Sequence, residues 1–291
     1  MTNRARRLSS PTNWGAHELN ALFRGHTAAA EEDGTYKLLY LGRDNYRIEF
    51  RTPTFQMTRV VRKEGGYTVR SLPVSPTVEE YVWKSLPIVP IGFDSKDLVR
   101  AIVDRPLGGR KVRCVEFDTI DGLKKESNEV CVDAETGTFA YIRADIRAYT
   151  YSDFFRFGDA LFPRHILIEE GDIRIEIDQM VKPIEGPLDP SLMEPPPGAT
   201  FYPFCTEFRL AVARDRLQPK AGPGTNIEEI QVRGEVLPDG KMRNAVVDTA
   251  SRAELRAEAL DLVSRWTFQP ATCDGKPINS WTTISIQFQG R

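Results

Sequence analysis

The sequence has little of what catalysis or membrane insertion needs. Its 291 residues include only three histidines, His17, His26 and His165. No apolar run reaches the roughly eighteen residues of a membrane-spanning helix. Glycine-rich phosphate loops, G-x-S-x-G elbows, H-E-x-x-H pairs and acidic calcium loops are all missing. No catalytic residue, metal ligand or cofactor is therefore nominated, and a non-enzymatic role is expected. Strong charge is missing too: the net charge is −2 with 27% charged residues, which gives no field to attract nucleic acid or an anionic membrane. The basic start, from Met1 to Arg7, has no apolar segment behind it and reads as a solvated tail. His165 falls in a strand-like run and is read as structural or surface. Glu169, Glu170 and Asp172 around Gly171 read as a charged hairpin tip.

What is present is extended chain. Residues 1–32 are poorly patterned, with a short helix expected from Trp14 to about Arg24 that places Leu19, Leu22 and Phe23 on one side. From Gly34 the period is two: Tyr36, Leu38 and Tyr40, then Tyr46, Ile48 and Phe50, then Phe55–Val61, Gly65-Gly66, and Tyr67–Leu72. Helices are expected at Thr77–Ser85 and at Asp94–Val103, the second from the four-residue spacing of Leu98 and Ile102. Strands resume at Lys111 and continue through Phe139–Ile142, Tyr149–Phe157, His165–Glu169 and the alternation of Ile173, Ile175 and Ile177. Many short strands with few helices predict a curved antiparallel sheet, a half-barrel, over 33–182. Residues 183–204 are proline-rich and read as an extended linker, followed by a second domain at 205–291.

Four cysteines allow three connectivities. Cys114 and Cys131 sit in two extended runs joined by a polar, turn-rich segment, and facing strand positions can bring their sulfurs together. That pairing leaves Cys205 with Cys273. The alternative is four buried thiols in a cytosolic protein. Neither pair has the C-x-x-C spacing of a redox or zinc site.

The last part of the chain reads strand, strand, helix, strand. Ile230, Val232, Gly234 and Val236 alternate with Gln231, Arg233 and Glu235, and Pro238-Asp239-Gly240 turns into a second extended run, Asn244–Asp248. Ser251 with Glu254 forms a capping box, and Leu255, Ala259, Leu262, Val263 and Trp266 form an apolar helical stripe. A closing strand alternates Ile284, Ile286 and Phe288 with Thr283, Ser285 and Gln287.

Gly234-Glu235-Val236, Pro238-Asp239-Gly240-Lys241, Ala259, Trp266-Thr267-Phe268-Gln269-Pro270-Ala271, Gly275-Lys276-Pro277 and the strand ending in Phe288 occur in the order of one family. Residues 225–291 resemble the C-terminal domain of TonB energy transducers. Where that family carries a Tyr-Pro and an Ala-Arg pair, this chain reads Pro219 to Gly224 without them. The resemblance implies an envelope protein with a core of Leu255, Ala259, Leu262, Val263, Trp266 and Phe268. Its edge strand, Trp281, Thr282, Thr283, Ile284, Ser285, Ile286, Gln287 and Phe288, would accept an extended segment of an outer-membrane transporter. The same edge can instead be covered by its own C-terminus or by a second copy in a homodimer. A transducer also needs an inner-membrane anchor, and residues 1–291 contain no apolar span that can serve as one.

Tyr46-Arg47-Ile48-Glu49-Phe50, Gly65-Gly66-Tyr67, the Asp133–Gly137 turn and Phe162-Pro163-Arg164 resemble periplasmic lipoprotein carriers of the LolA type. That likeness implies a concave apolar face able to hold a lipid or lipoprotein, against which stands a core filled by its own side chains. The fold expected is α+β: a half-barrel with a few helices, then the strand-strand-helix-strand domain. Periplasm or cell envelope is the expected compartment.

Overall fold

The computed structural model describes residues 15–27, 31–85, 97–121, 124–214, 227–249 and 253–289. The chain forms two compact units, one of residues 1–58 and 75–194, the other of 59–74 and 195–291.

The first unit is built on a large, curved antiparallel sheet. Its strands are β1 (His17–His26), β2 (Glu31–Gly42), β3 (Asn45–Arg51), β6 (Asp97–Leu107), β7 (Arg110–Asp121), β8 (Lys124–Asp133), β9 (Phe139–Ala144), β10 (Arg147–Phe157), β11 (Ala160–Glu170) and β12 (Ile173–Pro183). The order β3-β2-β1-β12-β11-β10-β9-β8-β7-β6 is a meander in which β1 closes against β12. One face is sealed because every second residue is buried and most are apolar: Leu19, Ala21 and Phe23 on β1 lie opposite Val181, Gln179 and Ile177 on β12, and Gln179 donates to the Pro163 carbonyl at 2.9 Å. Ile48, Phe50, Phe139, Phe162, Ile166, Ile168, Ile175 and Ile177 have almost no exposed surface. Helix α1 (Thr77–Ser85) adds Val78, Tyr81 and Val82 to that core, and Glu79 and Glu80 in its first turn suit the positive end of the helix.

Two elements expected as helices are strands. The first, Trp14–Arg24, is β1: Leu19 and Phe23 point inward together with Ala21, while Leu22 is 63% exposed. Positions 19 and 23 fit a period of two as well as one of 3.6, and pairing with both β2 and β12 decides between them. The second, Asp94–Val103, is β6 from Asp97 onward. Leu98 and Ile102, four apart, lie opposite Asp118 and Val115 and so on different faces, because Arg100 is an extra residue in the ladder, and β7 supplies the backbone partners. The start of that predicted helix lies outside the described residues.

The stretch 183–204 carries more structure than extended chain. Asp189 accepts a hydrogen bond from the Ser191 amide (2.9 Å) and caps a short 3-10 turn at Pro190–Met193 that buries Met193. At its end β13 (Thr200–Pro203) pairs with β5 (Gly65–Arg70), the second strand of a hairpin begun by β4 (Gln56–Arg62). This pairing is why residues 59–74 group with the C-terminal unit.

The second unit continues with β14 (Phe208–Arg209), β15 (Val212–Ala213), β16 (Ile227–Val236), β17 (Met242–Thr249), helix α2 (Ala253–Ser264), β18 (Phe268–Gln269), β19 (Ala271–Cys273), β20 (Lys276–Ile278) and β21 (Ser280–Gln289). A three-stranded sheet runs β17-β16-β21, a second, small one runs β14-β19-β20, and β15 pairs with β18. The Ser251 cap and the Pro219–Gly224 segment lie outside the described residues.

Both disulfides are formed, Cys114 with Cys131 and Cys205 with Cys273. The first joins directly opposed residues of β7 and β8, as the hairpin reading of the sequence requires.

Candidate functional site

The sheet of the second unit ends in a strand built as an open edge. β21 pairs with β16 from Ser280 opposite Val236 to Gln289 opposite Ile227, with no register shift. Its other side pairs with no strand among the described residues. Natural edges are usually guarded by charge, proline or a bulge; β21 has no charged residue, no proline and no break in its ladder. Its side chains divide by face. Ile286 and Phe288 are buried in the core with Ile284 packed beside them, and Thr283, Ser285 and Gln287 are exposed.

Beneath the sheet lies α2. Leu255, Ala259, Leu262 and Val263 are buried on one side of it and meet Ile230, Val232 and Val236 of β16, with Trp266 and Phe268 closing the end. The two rings sit 6.5 Å apart in a tilted pair.

Two glycines set the geometry on the far side of β16. Gly240 has φ +80° in the turn after Pro238-Asp239, and its carbonyl accepts from the Phe268 amide at 2.9 Å. A Cβ there would lie 2.4 Å from the Phe268 carbonyl oxygen. Gly240→Ala is therefore expected to cost about 2–3 kcal/mol, from the left-handed backbone and the displaced β18 together. A urea titration checks this, and a loss under 1 kcal/mol would contradict it. Gly234 lies where the β16–β17 register shifts, and a Cβ there would meet the Met242 sulfur at 2.4 Å.

Glu235 keeps the outward parity of Gln231 and Arg233 and stands opposite Trp281 of β21, yet it is covered there. Glu235 is 2% exposed. Arg243 donates to it at 2.7 Å, and the Tyr202 hydroxyl lies 3.5 Å from its other oxygen. Trp281 Nε1 donates to the same hydroxyl at 3.0 Å. Burial, and next the Glu235 charge, push the Tyr202 phenol upward; the bond to Glu235 raises Arg243. Over the Trp281 ring, 5.6 Å from its centroid, sits the guanidinium of Arg70.

The histidines are engaged elsewhere. His17 is buried, with Nδ1 2.8 Å from the Gly15 carbonyl and its ring stacked on Tyr40. His26 stands 3.5 Å from Glu31, and His165 lies 3.0 Å from Asp178. The charged hairpin tip is held by Arg147 on Glu170 and Arg174 on Glu169. Glu129 lies close to the sulfurs of Cys114 and Cys131, but those sulfurs are bonded to each other and Arg105 holds the carboxylate at 2.8 Å.

The order of elements, the turn glycine and the helix under an open-edged sheet agree with one family model. Residues 229–289 match the Gram-negative bacterial TonB protein C-terminal family. The TonB-like module thus spans β16 to β21. Among solved structures, a LolA superfamily protein from Nitrosomonas europaea is similar at 13% identity and TM-score 0.40, over 64% of this chain and 93% of its own. A candidate outer membrane lipoprotein-sorting domain from Vibrio parahaemolyticus is similar at 12% identity and TM-score 0.42, over 66% and 94%. A DUF1329 family protein from Desulfovibrio piger gives 10% identity and TM-score 0.43, over 66% and 95%. No curated protein matches the chain.

Of the residues gathered at the head of β21 in the TonB-like module, the sequence singled out Trp281, as an edge residue, but not the neighbours that meet it. Tyr202 lies in the proline-rich stretch, Arg70 in a distant hairpin, and Glu235 on the outward parity of its strand, where alternation does not call for burial. The Gly234-Glu235 pair was the one local signal, since glycine inside a strand marks a bulge or a close approach.

Proposed function

We propose that this chain is a non-enzymatic cell-envelope protein whose TonB-like module binds a partner polypeptide by strand addition along β21. A TonB-dependent outer-membrane transporter is the partner the family match favours, in energy-coupled transport. The observation that carries the reading is the open, uncharged, unbroken edge of β21. Two disulfides support an oxidising compartment such as the periplasm. Among the described residues no helix is long and apolar enough to cross a membrane. A lipid or lipoprotein carrier is the weaker reading, because the apolar face of the first unit is occupied by its own side chains, Phe23, Phe50, Phe139 and Phe162 among them.

Strand addition works through main-chain hydrogen bonds, each worth about 0.5–1.5 kcal/mol net, so a handful gives reversible affinity. Successive amides of β21 face opposite sides. Of Ile284→Pro and Ser285→Pro, one therefore removes an outward donor, and the other breaks the ladder to β16. The first should keep the fold and lose binding to transporter peptides by tenfold or more, about 1.4 kcal/mol. Unchanged affinity in both variants, measured by fluorescence anisotropy, would defeat the reading.

A further inference from the structure

The head of β21 differs from the rest of the edge in one respect, which is charge. From Ser280 to Gln289 the strand has no ionic side chain, yet Arg70 lies over the ring of Trp281, the second residue of the strand. Arg70 is exposed and forms no ion pair with a described carboxylate. The nearby carboxylate, Glu235, is buried and already held by Arg243 at 2.7 Å. The ring beneath Arg70 is itself fixed, because Trp281 Nε1 donates to the Tyr202 hydroxyl. A guanidinium resting on an aromatic face keeps its in-plane N–H donors available, and their fork matches a carboxylate. So the edge offers backbone groups along its length and one positioned cation at one end.

We propose that the partner segment added to β21 carries an acidic side chain where it passes Trp281, and that Arg70 on its Trp281 shelf is the group that reads it. This rests on the strand-addition reading and adds to it a register and a partner chemistry. A single exposed ion pair contributes modestly, so the expected preference is about two- to fivefold in Kd, weakening as salt rises.

The test uses the full chain and four labelled synthetic peptides: acetyl-Glu-Thr-Val-Ser-Val-Thr-Ser-amide, the same sequence reversed, and each with Gln in place of Glu. Two orientations are needed because an added strand can run either way. The expected result is that one acidic peptide binds about two- to fivefold tighter than its Gln counterpart, that Arg70→Gln abolishes the difference, and that Arg70→Glu reverses it in favour of the Gln peptide. Circular dichroism shows whether these exposed-site variants keep the fold. Equal affinity for Glu and Gln peptides, or a preference that survives Arg70→Gln, overturns the inference and leaves strand addition standing. Failure of all four peptides to bind, or binding untouched by both edge prolines, overturns strand addition and this inference with it.

Discussion

Replacing Cys205 and Cys273 together with alanine will destabilise the C-terminal unit by about 4 kcal/mol, the chain-entropy value for a loop closed across 68 residues. The bond closes the unit's longest excursion, which runs from the entry segment through β14–β18 to β19. Among the described residues the rest of the entry segment's support is short ladders, a few hydrogen bonds and the packing of Ala211 and Ala213 on the core. β14 pairs with β19 and β15 with β18 over two residues each. The amides of Thr206 and Glu207 donate to Asp274 at 3.0 and 2.8 Å, and the Arg214 amide donates to the Thr267 carbonyl. Phe208, Leu210 and Val212 are exposed, so the large apolar side chains of the segment add little by burial. The same double replacement at Cys114 and Cys131 closes only 17 residues and should cost about 3 kcal/mol. Urea titrations of the two variants give the comparison. A loss below about 1 kcal/mol for the Cys205–Cys273 variant would mean that the entry segment is held by other means.

Phe50→Ala will cost the first unit about 3–5 kcal/mol, the range for a large aromatic removed from a packed core. Phe50 has no exposed surface. Its ring stacks on Phe23 at 5.0 Å between centroids and meets Phe55 at 6.1 Å. Phe23 stands on β1 and Phe50 on β3, with β2 between them, so the stacking ties non-adjacent strands across the concave face. Truncation leaves a cavity lined by rigid strands that cannot collapse into it. Denaturant unfolding supplies the number. Mass spectrometry of the extracted variant adds a functional readout: if the face is a packed core, the wild-type chain carries no lipid, and any ligand that appears does so only in the variant. A wild-type chain that co-purifies with stoichiometric lipid would favour the carrier reading.

Much of the strand content was legible because period-two alternation survives in single strands such as Ile173, Ile175 and Ile177. Trp14–Arg24 and Asp94–Val103 were not: in the first, Leu19 and Phe23 satisfy both periods and one of the deciding partners, β12, lies far away in sequence, and in the second an extra residue at Arg100 breaks the strand alternation. Cys114 and Cys131 could be paired because a hairpin is local. Cys205 and Cys273 followed only by elimination. Of the candidate site, the edge strand and the helix beneath it were readable, whereas the Arg70, Trp281, Tyr202 and Glu235 cluster was not. Its members come from β5, β13, β16 and β21, and the burial of Glu235 on the outward parity of its strand depends on Tyr202 and Arg243 reaching it from other strands.

The amino-acid pattern alone determined the strand-rich class, the hairpin turn at Gly240, the apolar face of the C-terminal helix and an uncharged final strand, because each depends on residues within a few positions of one another. Tertiary structure alone decided that β1 closes the large sheet against β12, that Thr200–Pro203 becomes a strand, and that a cation stands at the head of the open edge. Those outcomes depend on pairings between segments many residues apart, and the free energy of such pairings is set by which edges and faces are left to be filled once the rest of the chain has folded.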